Sequence, residues 1–413
     1  MILAVAAALA RPDALGSVEA ERHPIRCHFE VVSDRSRCVT LLTYADLAWD
    51  VQVDTLGFAA PLPDGDLGGD DLLDIYLGTS VSGGAGEAWV DCDGGDGTCT
   101  DADPTDGRAG APSFVVIDAR TSDADLPGYM VHEFNHTTQY ATDYAEPFLS
   151  VWEGTAVSAE MWTLPDVDPS ISDIADYQAT PWVSAVLQDG YFLEEEGLTS
   201  WYEYGAMVWV RWYDARYGDG SGTSAAALWR DMTQEGYGTE PDVLDVWVDW
   251  ETDLLAFAAD RARMGTTEGP AWLTFAGERA AVTKDGTLTL GSFTPSRAPY
   301  PLGAVYWDIP AGFAGTVSLD GDPAVRWGMV VVGAVPTETT DTVLSVHGPA
   351  TLGVVNLGPA GFDADDPLAP ADFRLDVTEN PEDAGCGCNT TIAAPWLGVF
   401  VLGLMRRRSA LAR

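Results

Sequence analysis

VHEFNHTTQY, Val131 to Tyr140, contains His132-Glu133-Phe134-Asn135-His136, and the rest of the chain is best read outward from it. On a helix, residues four apart share a face, so His132 and His136 can aim two imidazoles at one ion, as a zinc site requires. Glu133, beside the first imidazole, can reach a water on that ion as a general base. The flanks favour a helix here. SFVVIDA reads as a strand ending near Ala119, Asp123 and Asp125 can cap, and Pro127 falls in the first turn. Phe134 and Val131 would then face the core. Two ordinary packing histidines are the bland alternative, but two of only five histidines at this spacing beside an acid make it the poorer account.

A zinc site needs a third protein ligand. The next histidine is His347, far downstream, so the ligand should be an acid. Gln139 and Thr142 stand where a metzincin would carry Gly and His, which excludes that family. Glu153, in Trp152-Glu153-Gly154-Thr155-Ala156 on the next expected helix, is the best candidate. Glu160 shares its helix face and is either the ligand itself or a partner that orients one. Asp143 and Glu146 follow His136 too closely for a separate helix to return. A donor is also wanted where negative charge develops, and Tyr202 and Tyr204 in SWYEYGAMVWV are candidates, with aromatic core packing as the competing reading.

With these residues in view the chain resembles the gluzincins, whose third ligand is a glutamate on a following helix, although the gap from His136 to Glu153 is slightly shorter. The segment AWDVQVDTLGF through PLPDGDLGGDDLLDIYLG, then the histidine motif, WEGTA and a tyrosine-rich helix, is similar to a group of secreted bacterial proteins whose peptidase activity is inferred from the motif. That likeness covers roughly Val39 to Tyr217 and implies a zincin-like fold more than any substrate.

The chain has 413 residues, 46% of them hydrophobic, which is enough for two domains and end signals. Sixty-four acidic residues against 21 basic ones give a net charge of −43, a surface that repels nucleic acid and anionic lipid. Acids crowd Asp64 to Asp74 and Asp91 to Asp106, loops whose oxygens could take up a hard cation such as Ca2+. The six cysteines fall into close pairs, Cys27 with Cys38, Cys92 with Cys99 and Cys386 with Cys388. Neither of the first two pairs has zinc-site spacing, so disulfides in an oxidising compartment are expected.

Both ends read as targeting signals. MILAVAAALA suits a signal-peptide core with cleavage near Ala10; a buried strand is the alternative. At the other end, Cys386-Gly387-Cys388 precedes an apolar stretch from Ile392 to Met405 and then Arg406, Arg407 and Arg408. The stretch is short for a spanning helix of about 20 residues, and the arginines would stay cytoplasmic. This tripartite pattern resembles the myxobacterial C-terminal sorting signal (MYXO-CTERM). The resemblance implies processing or attachment at Cys386 or Cys388 by a sorting protease and loss of the tail.

Between the signals, a mixed-charge linker leads to an amphipathic helix within Val39 to Phe58. Leu72 to Leu77 and Ser113 to Ala119 read as buried strands, and Gly78 to Pro112 as loop. Leu126 to about Ala259 is helical, with Pro147 and Pro241 suited to open helices. Beyond Trp272, runs such as Gly286 to Leu290, Gly303 to Ile309 and Met329 to Val335 alternate with turns, the texture of a β-sandwich. No internal repeat or nucleotide-binding glycine fingerprint occurs.

The expectation is therefore an α+β chain: a leader over 1–19, a mostly helical zincin-like domain over 20–270, an all-β sandwich over 271–380 and a sorting signal over 381–413. Its expected activity is zinc-dependent hydrolysis of extracellular proteins or peptides, through a metal-activated water with Glu133 as base and His132, His136 and Glu153 as ligands. The expected location is the cell surface or medium after C-terminal processing. The rivals are an adhesion or scaffold protein with a closed zinc site, which needs a fourth ligand such as Glu160, and a zinc hydrolase acting on something other than peptides.

Overall fold

A computed structural model describes residues 11–65, 67–79, 84–91, 109–166, 171–188, 196–198, 201–233, 241–266, 269–273, 279–333 and 336–379. The expected signal core over Met1 to Ala10, the Cys92–Cys99 pair and the C-terminal sorting pattern lie outside the described residues. The chain is α+β. No helix among the described residues is long and apolar enough to cross a membrane.

The first unit is built on a five-stranded sheet in the order β1-β2-β3-β5-β4. Its centre is parallel: β2 (Ile25–Phe29), β3 (Leu73–Gly78) and β5 (Ser113–Asp118). β3 and β5 are buried throughout, as parallel strands covered on both faces must be. Alternation divides them. Leu73, Ile75, Leu77, Val115 and Ile117 join the core under α1 (Arg35–Ala48) and α2 (Leu126–Tyr140), while Tyr76, Phe114 and Val116 form a small cluster on the other face. α1 runs on as a π-helical stretch, Trp49–Leu56, which Gly57 ends in a left-handed conformation. A Cys27–Cys38 disulfide ties β2 to the start of α1.

Three local expectations are corrected. The mixed-charge linker contains a hairpin of β1 (Gly16–Glu19) and β2, and the expected loop of Gly78 to Pro112 contains β4 (Gly86–Val90). Both outer strands pair antiparallel at the sheet's edges, with too little apolar alternation to be seen without their partners. Asp125 holds the N-cap position of α2 without capping it, since its carboxylate accepts instead from Ser122 at 2.7 Å.

A helical unit follows: α3 (Leu149–Thr163), α4 (Ile171–Ala179), α5 (Trp201–Gly205), α6 (Met207–Tyr217), α7 (Thr223–Asp231), α8 (Val243–Val246) and α9 (Trp250–Arg263). Its core is aromatic, with Trp209 and Trp212 packed edge-on against Trp247. Pro147 and Pro241 precede the N-caps of α3 and α8 rather than entering the first turns, and Asp242 caps α8 in a capping box with Asp245.

The C-terminal part holds two four-stranded antiparallel sheets, β10-β9-β12-β7 and β11-β8-β13-β6, across a shared apolar core that includes Trp307, Met329, Leu352, Val317 and Leu375. The first sheet comprises β7 (Ala304–Ile309), β9 (Trp327–Val332), β10 (Thr337–Thr339) and β12 (Ala350–Asn356). The second comprises β6 (Gly291–Phe293), β8 (Ala314–Gly321), β11 (Val343–His347) and β13 (Phe373–Glu379). Gly286 to Leu290 contributes a bridge from Thr287 to Asp308 rather than a strand. The outer face of the first sheet packs on the helices: Tyr306, Val330 and Val355 share the helical core, and the Tyr306 hydroxyl donates to the Ala258 carbonyl at 3.0 Å.

Candidate metal centre

Two adjacent helices carry the cluster. α2 supplies His132, Glu133 and His136 and α3 supplies Glu153 and Glu160, while Val131 and Phe134 of α2 are sealed in the sheet's core and fix which face of α2 looks outward. The Nε2 atoms of His132 and His136 stand 3.1 Å apart, and Glu153 Oε2 lies 3.0 Å from the first and 3.4 Å from the second.

The outer ring nitrogens determine what those inner atoms are. Gln139 donates its amide to the Trp152 carbonyl at 3.0 Å, so its Oε1 is the acceptor that faces His136 Nδ1 at 2.6 Å. Glu160 Oε1 sits 2.8 Å from His132 Nδ1. A carboxylate and an amide oxygen can only accept, so each Nδ1 carries its proton and each Nε2 is the nitrogen that offers a lone pair once the imidazole is neutral. Two imidazole Nε2 atoms and a carboxylate oxygen thus converge, a donor set that, with the imidazoles neutral, suits a divalent cation such as zinc.

The proton affinities express the same frustration. Burial pulls His132 down, but hydrogen bonding to Glu153 and Glu160 outweighs it and raises its pKa well above the ordinary imidazole value. His136 is raised too, burial being outweighed by the Glu153 charge. Burial pushes Glu153 up, but the His136 and His132 imidazoles reverse this and hold it far below the carboxylate range. Protons on the imidazoles supply the positive charge that the three groups call for. Glu133, at 5% exposure, is pushed up to about 7 by burial, opposed by the two imidazoles.

Compared with known proteins, the chain matches no family model and no curated protein sequence.

Of the two tyrosines singled out from the sequence, Tyr204 is brought to the cluster and Tyr202 is not. The Tyr204 ring stacks on His132 at 5.6 Å, and its phenol is held protonated by the Glu153 charge and by burial. Tyr202 turns inward, with its ring against Tyr177 and its hydroxyl donating to the Ser184 carbonyl at 2.8 Å. Glu146 is likewise spent elsewhere, accepting from the Phe148 amide at 3.0 Å.

Several residues of the site were not singled out from the sequence. Gly86 on β4 lies against Glu133, and Gly154 lets α3 approach the backbone at Ala206, where a Cβ would stand 2.9 Å from a carbonyl carbon. Gln139 had a legible signal, since it lies three residues after His136 on one helix face. Glu203, beside Tyr204, is pushed up to about 9 by burial and by Glu153.

Elsewhere, arginines hold several of the clustered acids. Asp64, Asp74 and Asp91, from the loops expected to attract Ca2+, all pair with Arg11, whose guanidinium sits among them as a cation would. His23, Asp50 and Asp54 also come within ligand distance of one another, but Asp50 pairs with Arg22 and with His23.

Proposed function

We propose that the chain is a zinc-dependent peptidase of zincin-like architecture, with His132, His136 and Glu153 holding the metal and Glu133 as general base. The observation that carries this reading is the convergence of two Nε2 atoms and a Glu153 oxygen, with both Nδ1 protons already committed to Glu160 and Gln139. A zinc ion bound there would supply Lewis acidity, polarising a carbonyl and easing deprotonation of a water. Glu133 takes the proton of the attacking water on its carboxylate and passes it to the departing amine. Burial suits it to that exchange, because an acid near neutrality can both accept and release a proton. The Tyr204 phenol, protonated and close to His132, can donate to the oxygen on which negative charge develops. Glu160 and Gln139 orient the imidazoles, a supporting role.

A closed structural site would need Glu160 as fourth ligand, and the hydrogen bond that His132 donates to Glu160 from its far side speaks against that rival. Zinc content and chelator-sensitive hydrolysis of unfolded protein test the reading; hydrolysis undiminished in zinc-free protein would end it. We also propose export and cell-surface display. The C-terminal Cys386–Arg408 pattern supports this, as does the Cys27–Cys38 disulfide, which suits an oxidising compartment. Replacing Cys386 and Cys388 with serine should leave an uncut precursor in the membrane fraction, and normal processing of that variant would refute the proposal.

A further inference from the structure

A second group of ligand-type side chains, none shared with the first, stands where the β1–β2 turn meets the π-helical stretch. His23 comes from the turn and Asp50 and Asp54 from the stretch, and a ligand atom of each lies within 4.8 Å of the other two. Asp50 and Asp54 are four residues apart, so their carboxylates share a face, as the two imidazoles do on α2. Like charges at that spacing repel and weaken a helix, a cost that a cation between them would remove. Asp54 is exposed and makes no ion pair among the described residues, so no side chain there supplies the cation to it.

The imidazole is held ready. Its ring is stacked on Trp49 at 5.0 Å with 13° between the planes, and its Nε2 lies 2.9 Å from Asp50 Oδ1. The turn that carries it is closed by the Ala20 amide, which donates to the Ile25 carbonyl at 2.9 Å, and by the Ile25 amide, which donates to the His23 carbonyl at 2.8 Å. Asp50 divides its oxygens. Oδ1 faces His23, while Oδ2 pairs with Arg22, whose Nε also lies 3.6 Å from Asp46. Arg22 therefore occupies the oxygen that an ion held by His23 would not need, and it orients the carboxylate as the outer partners of metal ligands do. An imidazole nitrogen with carboxylate oxygens is a donor set of zinc and similar divalent ions.

We propose that His23, Asp50 and Asp54 hold a second divalent metal ion, which replaces the hydrogen bond between His23 and Asp50 and clamps the β1–β2 turn to the helix that continues α1. The site does not rest on the peptidase reading above. It should fill after the His132 centre, because Asp54 is exposed and Arg22 competes for Asp50. Its effect is on folding, since an ion that binds only the folded arrangement stabilises that arrangement. Trp49, beneath His23, lies 5.9 Å from Phe134 of α2, so the clamp backs the helix that carries the first centre.

Zinc alone is the probe, titrated by calorimetry into the metal-free full chain in excess Mg2+, which occupies surface carboxylates but is a poor partner for imidazole. The wild type should show a tighter and a weaker binding event. Glu153→Ala should weaken the tighter one, whereas His23→Ala and Asp54→Asn should each weaken the other about tenfold or more. Asp54→Asn alters an exposed side chain, so it keeps the test valid if His23→Ala disturbs the turn. Saturating zinc should also raise the Tm of Glu153→Ala, and the rise should vanish when His23→Ala is added. The proposal is overturned if no weaker event occurs, or if that event survives both His23→Ala and Asp54→Asn unchanged. A single event that depends on His23 and not on Glu153 would instead sink the metal reading of His132, His136 and Glu153 and leave this site standing.

Discussion

Gly86 and Glu133 are in such close contact that no other residue type fits at position 86 without moving the glutamate: a Cβ there would stand 2.7 Å from Glu133 Oε1 and 2.8 Å from its Cγ. The edge strand β4 thus leaves room for the carboxylate by presenting a residue without a side chain. Gly86→Ala should displace the proposed general base while leaving the proposed ligands alone. We expect kcat to fall about tenfold or more, some 1.4 kcal/mol of transition-state stabilisation, with zinc content unchanged. Wild-type turnover in that variant would show that Glu133 need not sit where it does.

Removing the base chemically rather than sterically gives a second test. Glu133→Gln keeps the shape of the side chain and removes its proton-accepting oxygen. It should retain one zinc per chain and lose on the order of 10²–10⁴ in turnover. Zinc loss in this variant would reassign Glu133 to the ligand set.

The third ligand and its neighbour should differ in kind. Glu153→Ala removes a carboxylate oxygen that lies 3.0 Å and 3.4 Å from the two Nε2 nitrogens, whereas Glu160→Ala removes a hydrogen-bond acceptor from His132 Nδ1. We expect Glu160→Ala to weaken zinc binding roughly 10–100-fold and Glu153→Ala to weaken it far more. The opposite ranking, read by competition with a chromogenic chelator, would make Glu160 the ligand.

Metal removal should cost stability by an amount that grows with pH. In the metal-free protein the imidazoles of His132 and His136 hold protons above their ordinary value. The stability they contribute is full below the unfolded imidazole pKa of about 6.5 and declines as pH rises through the folded values. Zinc requires those nitrogens bare, so its binding strengthens over the same range. The gap in Tm between zinc-loaded and chelated protein should widen from pH 6 to pH 8. A constant or shrinking gap would mean that these imidazoles do not hold the metal.

The Cys27–Cys38 bridge has a sequence separation of 11. Cross-linking a loop of that size restricts the unfolded chain by about 3 kcal/mol. Replacing both cysteines with serine should lower unfolding stability by roughly 2–4 kcal/mol. An unchanged denaturation midpoint would show that the tie between β2 and α1 adds nothing to folding.

Some of this molecule is legible in short stretches of chain. The motif from His132 to His136 places two imidazoles and an acid on one helix turn because helical periodicity is a local property, and α2 has that form. The apolar runs of β3 and β5 announce buried strands for the same reason. What only the tertiary structure decided involves distance along the chain. β1 and β4 become strands through partners at the sheet's edges, and Gly86 acquires its importance from a glutamate 47 positions away. Tyr202 and Tyr204 look alike in sequence, yet α5 turns one into the aromatic core and the other over His132. Glu160 could have been a ligand or a support, and the packing of α3 on α2 set it at Nδ1. Periodicity tells which residues share a face; only packing brings faces from distant segments together, because burial and hydrogen bonding select partners in space.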